Sequence, residues 1–496
     1  MKKFFFLFLL LGLIACKDSI QGDKLPNKKP ETTLPTDTII RFGGDRYNTN
    51  VFLQWNGDDA DGVVVGYEFT FDSVLNEQTL WNFTTQTDSI FPMQIPLGND
   101  SLNFVFSVRA IDNTGEKDPT PARLWVPIKN SAPSIRFIFK SNSGNPLAGG
   151  NPSFTISHLR YTWEASDQDG PTNIAAIEFC LNDTTQTPYP LDPKYTSATL
   201  RAVLNSATIR SCDVIPGASI NPLPSKLSGL IPNDSNVFYI RAIDKSGAKS
   251  AWVGSPKVKV AIPSGRLLLV NSNNAPDQAA ENFMKSQIQG QNITYDFLPL
   301  FKKVNGQYQY LAPDAKTQGQ IFNLYDAIVW FGDDLEQSLA FAQATTADFV
   351  SKGGHLFLSA FTPNSSNIQS PSYAFSPIDS LIPTKTGFTQ LLTDTSTLVP
   401  LSSGLPTLKY QQFLSGGRYM KLVGGSTPWY HANFLMRNNS NFTTSIIAQT
   451  APVMGLKTNP ATGSKFVIST LELNQLNGNN NIQTLFQKIL KQEFGL

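Results

Sequence analysis

The feature that most restricts this chain is a signature that its first half carries twice. The stretch from Trp55 reads WNGDDADGVVVGYEFTF and the stretch from Trp163 reads WEASDQDGPTNIAAIEFCL. Each has a tryptophan, an acidic turn ending in Asp-Gly, then an apolar run containing Glu-Phe. A second pair follows in the same order, FVFSVRAIDNTG at 104–115 and VFYIRAIDKSG at 237–247. Two separated signatures repeating in one order mark two copies of a structural unit. The interval is 108 residues from Trp55 to Trp163 and 132 from Arg109 to Arg241. The second copy therefore carries an insertion, placed around 183–225.

Alternation of period two is plain in Val65–Phe71 and Phe104–Ala110. Short alternating runs bounded by Gly, Pro, Asn and Asp predict β-sandwiches, with a Trp filling the space between the sheets. The Arg-Ala-Ile-Asp-x-x-Gly pattern at Arg109–Gly115 and Arg241–Gly247 resembles the F strand and following turn of fibronectin type III domains, a pattern other Ig-like sandwiches share. The resemblance implies one sandwich over 38–130 and a second over 131–263.

The acidic turns admit two readings. Asp58, Asp59 and Asp61, and likewise Asp167 and Asp169, are clustered oxygens of the kind calcium takes. They are equally turn formers that cap their own backbone beside a glycine. Cys180 and Cys212 both fall in the second sandwich. In an exported chain they are candidates for a disulfide, the alternative being buried free thiols.

The chain starts MKKFFFLFLLLGLIAC, two lysines ahead of an apolar core shorter than a membrane span. Leu13-Ile14-Ala15-Cys16 resembles the lipobox of bacterial lipoproteins. That resemblance implies a signal peptide over 1–15, lipid on Cys16, and an outer-membrane address, since Lys17 stands where inner-membrane retention uses Asp. Lys17-Asp18 resembles the surface-export signals of Bacteroidota lipoproteins, which implies exposure on the cell exterior. Residues 16–37 read as a flexible tether. Asp-Ser/Thr-apolar triplets, at Ser73, Ser89, Ser101 and Ser380 among others, resemble the O-glycosylation signal of the same bacteria.

From Gly265 the pattern changes to alternating strands and helices. Arg266–Asn271, Tyr325–Gly332, His355–Ser359 and Lys465–Ser469 are apolar runs suited to strands buried on both faces. Helical spacing covers Asp277–Ile288, about 346–352 and Thr484–Phe494. The expected fold class is therefore multidomain, with two all-β sandwiches followed by an α/β doubly wound, flavodoxin-like domain over 264–496. The strand order resembles the class I glutamine amidotransferase-like fold. That family needs a cysteine nucleophile, a base and an orienting acid. No cysteine lies after 212, the elbow position falls near Ser359 or Ala360, and Thr470-Leu471-Glu472 stands where the family has His-x-Glu. The departures imply a non-catalytic use of the fold. His355 and Ser359 share a strand face about 13 Å apart, too far to cooperate. Candidates for a ligand pocket are Asp333, Asp334, Ser359, His431 and Glu472. The long segment 362–464, with Tyr410, Phe413, Tyr419, Trp429 and Tyr430, is either a recognition surface or core lining.

With 39 Lys plus Arg against 38 Asp plus Glu, the formal charge is +1, which argues against nucleic-acid binding. The expected function is a binding or scaffold subunit, held at the outer membrane by its lipid and accessory to a β-barrel protein complex. A surface hydrolase and a glycan-binding lipoprotein of nutrient uptake are the alternatives. No cofactor beyond calcium is implied.

Overall fold

The computed structural model describes residues 25–35, 50–93, 95–96, 99, 101–139, 153–170, 172–204, 209–275, 277–304, 307–310, 314–362, 375–446 and 451–496. The lipobox, Cys16 and the first part of the tether lie outside these residues. The chain forms two compact units: Met1–Pro133 with Ser166–Ala175 and Ile243–Lys249, and Ser134–Ala165 with Ala176–Ala242 and Ser250–Leu496.

The first unit holds β1 (Glu31–Thr33), β2 (Asn50–Gln54), β3 (Asn56–Asp58), β4 (Val64–Thr70), β5 (Asn82–Thr84), β6 (Asp88–Pro92), β7 (Ser101–Asp112) and β8 (Ala122–Lys129). A four-stranded sheet in the order β5-β4-β7-β8 and the β2-β6 pair share one core. Trp55 lies fully buried in that core, with Phe106 at 5.5 Å and Tyr67 edge-on at 6.3 Å. Alternation explains the arrangement: Val51 and Leu53 point inward while Phe52 points out.

Within the tether expected over 16–37, residues 25–35 are ordered. β1 pairs with β3, Asn27 donates to Asp112 at 2.6 Å, and the Lys28 and Thr32 backbone N–H groups donate to Asp61 and Asp118 at 3.1 and 2.8 Å. The reason lies in a part of the repeat that its stronger signatures hide. Asn-x-x-Pro occurs at 27–30 and again at 130–133. In the second copy Asn130 donates to Asp244 at 2.7 Å and the Ser131 N–H donates to Asp169 at 2.9 Å. Each Asp of Arg-Ala-Ile-Asp-x-x-Gly thus anchors a lead-in segment. It also caps its own turn, which closes through Gly115 and Gly247 at φ 88° and 92°.

The Glu and Arg of the two signatures meet across strands. Glu68 and Arg109 pair at 2.7 Å, with Trp81 under the guanidinium at 4.0 Å. Glu178 and Arg241 pair at 2.6 Å, with Trp252 at 4.3 Å. Burial raises the Glu68 carboxyl, but hydrogen bonds from Lys117 and Arg109 prevail and hold it below the ordinary range.

In the second unit the sandwich comprises β9 (Ser134–Phe137), β10 (Phe154–Ile156), β11 (His158–Ser166), β12 (Ile174–Leu181), β13 (Tyr189–Leu191), β14 (Ser197–Ala202), β15 (Ser211–Pro216), β16 (Lys226–Ser228), β17 (Ser235–Asn236), β18 (Phe238–Asp244), β19 (Val253–Gly254) and β20 (Val258–Ala261). Its sheets run β16-β15-β14-β11-β9, β13-β12-β18-β19 and β10-β20-β17. The insertion expected around 183–225 is no loop; it supplies β13 to β15. The disulfide is not formed. Cys180 on β12 and Cys212 on β15 belong to different sheets, and both are buried free thiols. Burial pushes the Cys212 thiol up to about 12, which leaves it protonated and unreactive.

The remaining chain builds β21 (Leu267–Asn271), α1 (Gln278–Gln289), β22 (Tyr295–Pro299), the hairpin of β23 (Phe301–Val304) and β24 (Gln307–Tyr310), α2 (Ala315–Phe322), β25 (Ala327–Gly332), α3 (Leu335–Ser351) and β26 (His355–Ala360). A nine-stranded sheet has a parallel half and an antiparallel half. β22, β21, β25, β26 and β37 (Lys465–Ser469) run parallel in that order. Within Leu267–Val270 alternate residues enter different clusters. Leu267 and Leu269 meet α1 and α4 (Ile482–Gln487), whereas Leu268 and Val270 meet α2 and α3. Helices therefore cover both faces, which is why these strands are apolar throughout.

The antiparallel half comes from the segment whose pattern was indistinct. That segment holds β27 (Ile378–Leu381), β28 (Phe388–Leu392), β29 (Thr397–Pro400), β30 (Leu408–Lys409), β31 (Leu414–Ser415), β32 (Met420–Leu422), β33 (Thr427–Ala432), β34 (Leu435–Asn438), β35 (Thr444–Ile446) and β36 (Pro452–Thr458), of which β29, β30, β33 and β36 extend the sheet. Tyr410, Tyr419, Trp429 and Tyr430 are buried within it, so these aromatics line the core and do not form a recognition surface. Phe413 alone among the five is exposed. The second sandwich and the α/β module share a core, in which Ile156 joins Leu268, Val270 and Ile321. Beside it Arg160 meets Asp314 at 3.6 Å and the Lys316 ammonium donates to Ala218 O at 2.7 Å.

Candidate functional site

In open α/β sheets ligands bind beyond the carboxyl ends of the strands, where the strand order reverses. Here that place lies between β21 and β25. Asn271 ends β21, and its side chain accepts from the Asn273 N–H at 2.9 Å. The Asn274 N–H and side-chain amide both donate to Asp333, at 3.0 and 3.2 Å. Asp277 caps α1 by accepting from Ala280 N, and Asp334 caps α3 by accepting from Gln337 N. Behind them Glu472 follows β37. Burial first, then the charges of Asp277 and Asp333, push its carboxyl up to about 7.

Ser359 and Glu472 line one cavity with Asn273, Met284, Phe331 and Asn474. Its volume is about 10 Å³, room for roughly one water. Ser359 is buried, and its hydroxyl donates to Leu471 O at 2.8 Å. Of the residues singled out from the sequence, Ser359 and Glu472 line this cavity, and Asp333 acts on Glu472 through its charge without lining it. Asp334 serves as a helix cap, and His431 lies on β33, paired with Val399 in the antiparallel half. Asp277 was missed as a site residue. Its signal was available, because a helix-capping Asp directly after the first parallel strand must sit at the reversal point.

Replacing Glu472 with Gln tests this electrostatic picture. The folded protein holds the Glu472 proton to about pH 7, whereas an unfolded chain releases it near 4.3. Stability is thus lost as pH rises across that interval. The Glu472→Gln protein should match the parent near pH 4 and exceed it by about 3 kcal/mol at pH 8. Thermal melts across pH measure this, and parallel profiles would contradict it.

The acidic turns act as hydrogen-bond acceptors. Asp59 accepts from the Asp61 N–H and Asp167 from the Asp169 N–H, while Asp58 on β3 faces solvent. Among the described residues no group of three or more His, Cys, Asp or Glu is arranged to hold a metal ion, so the calcium reading of Asp58, Asp59, Asp61, Asp167 and Asp169 gains no ligand set. Of the triplet serines, Ser73 and Ser101 are exposed, and Ser89 and Ser380 are half-buried in strands.

No protein-family model matches the chain. No curated protein matches it either. Solved structures with some likeness include the fibronectin(III)-like modules of Clostridium thermocellum CbhA, at 12% identity over 47% of this chain and 95% of that one, TM-score 0.16. Others are the chicken CNTN1 FN1–FN3 domains, at 13% over 47% and 68%, TM-score 0.15, and the central fibronectin-III array of RIM-binding protein, at 14% over 52% and 78%, TM-score 0.15. At such scores the sandwich assignment rests on the strand pairing above.

Proposed function

We propose that this chain is a lipid-anchored outer-membrane protein facing the cell exterior, whose α/β module is a binding or scaffold element accessory to an outer-membrane β-barrel complex. The carrying observation is the state of Ser359. At the strand end where an amidotransferase-like domain of flavodoxin-like topology would place its nucleophile, the hydroxyl is buried, spent on Leu471 O, and faces room for about one water. A hydrolase needs an accessible nucleophile within reach of a base. The anchor reading is supported by Leu13-Ile14-Ala15-Cys16. Among the described residues no helix is long and apolar enough to cross a membrane, so in this reading the lipid on Cys16 is the attachment.

Two experiments test the parts separately. Cys16→Ser should move the protein from the membrane to the soluble fraction, and continued membrane retention would refute the anchor. Extraction of the native protein in mild detergent, followed by affinity purification, should bring down a β-barrel protein in stoichiometric amount. A protein recovered alone would refute the scaffold role.

A further inference from the structure

The outer face of the β5-β4-β7-β8 sheet has a composition that packing does not explain. Phe83 on β5 and Trp125 on β8 remain 62% and 54% exposed. Phe83 reaches over β4: a Cβ on Gly66 would come to 2.5 Å from its ring, so the glycine makes room for the ring there. Trp125 stands opposite Val105, which is 2% exposed. Each ring thus keeps an apolar surface in water on a rigid support. The same face carries Arg109 and Glu68, the Lys117 ammonium bound to Glu68, and Arg123 and Lys129 at exposed positions of β8. Four cations against one acid make the face basic in a chain whose overall formal charge is +1.

We infer that this face is a binding platform for an acidic polysaccharide, a chain of pyranose units of which some bear carboxylates. Solvent-exposed rings on a rigid support offer an apolar surface to the apolar face of a sugar ring, and the surplus cations complement its carboxylates. The spacing favours this occupant over a single-stranded nucleic acid. Arg123 and Lys129 are six residues apart on one strand, roughly 20 Å, with one ring between them. That is too sparse to neutralise a phosphate on every unit, and it suits a polymer charged only at intervals. The arrangement involves neither the lipid anchor nor the α/β module, so it stands whether or not the scaffold reading does.

The test uses the full chain in detergent with polygalacturonate as probe, measured by affinity electrophoresis and calorimetry. Neutral dextran, oligo-dT and phosphatidylglycerol-containing vesicles are the comparisons. The parent protein should bind polygalacturonate, more weakly as salt rises, and should not bind dextran. Trp125→Ala should weaken binding at least tenfold. The double change Arg123→Gln with Lys129→Gln, which leaves both rings in place, should weaken it and flatten its salt dependence. Unchanged melting temperatures would show that both variants fold. The inference is overturned by an absence of polygalacturonate binding at low salt, by affinity indifferent to these variants, or by tighter binding to oligo-dT or to vesicles.

Discussion

Trp55→Ala is expected to destabilise the first sandwich by about 3–5 kcal/mol, the range for removing a large aromatic from a packed core. Trp55 is the hub of its cluster. Its ring contacts Tyr67, Phe69, Phe91 and Phe106, with centroids 5.5 to 6.4 Å away. Removing it takes away the shared neighbour of strands from both sheets. The remaining side chains lie on β4, β6 and β7 and cannot converge on the void without moving backbone. The indole N–H is itself buried without a partner. Trp55→Phe should therefore cost much less, because it keeps a ring and deletes an unpaired donor. Calorimetry of the whole chain would check this. One transition should fall in the alanine variant while the transition of the second unit holds. If no transition moved, the packing account of the first sandwich would be wrong.

Acid is expected to destabilise the second unit through His158. The side chain is 2% exposed on β11, and its Nδ1 is buried without a partner. Burial first, then the charge of Arg201, with Asp213 opposing, depress its basicity to about 3. The unfolded chain takes up a proton near 6.5, while the folded protein refuses it until about pH 3. A group depressed in this way contributes stability above 6.5 that is lost as pH falls. The expected slope is about 1.4 kcal/mol per pH unit between those limits. His158→Leu removes the titration. In urea unfolding from pH 7.5 to 4.5, the variant should gain on the parent steadily as pH falls. A constant difference would show that His158 is not held neutral. Glu472 runs in the opposite sense, losing stability as pH rises from about 4.3 to about 7, so between about pH 4.3 and 6.5 the two slopes offset each other in the parent protein and only the variants separate them.

The repeat was legible because its residues are each forced by local geometry. Asp caps a turn, Gly takes positive φ, and Trp fills an inter-sheet space, all of which are short-range demands. Even so, the pairing of Glu68 with Arg109, and of Glu178 with Arg241, was hidden, although every residue of both pairs belonged to a signature. Pairing joins residues 41 and 63 positions apart, and one strand does not state which other will lie beside it. The lead-in Asn-x-x-Pro was overlooked for a related reason. It is polar and aperiodic, like a tether, and its order comes from acceptors on distant turns.

The parallel half of the α/β sheet could be read because strands buried on both faces must be apolar throughout. The antiparallel half could not, because a short strand next to the sheet edge such as Thr397–Pro400 is only partly buried and shows no clean period. In the crevice, Asp333 and Glu472 were recognisable as acids near strand ends. Their mutual influence, and that of Asp277, was not, since electrostatic coupling depends on distances that the fold creates. Sequence alone settled the kinds of element, the duplicated turn chemistry and the absence of a cysteine after 212. Three-dimensional packing settled whether an aromatic is core or surface, whether two cysteines meet, and whether Ser359 reaches solvent. Those outcomes depend on which strands become neighbours, and that is chosen by the free energy of the whole chain.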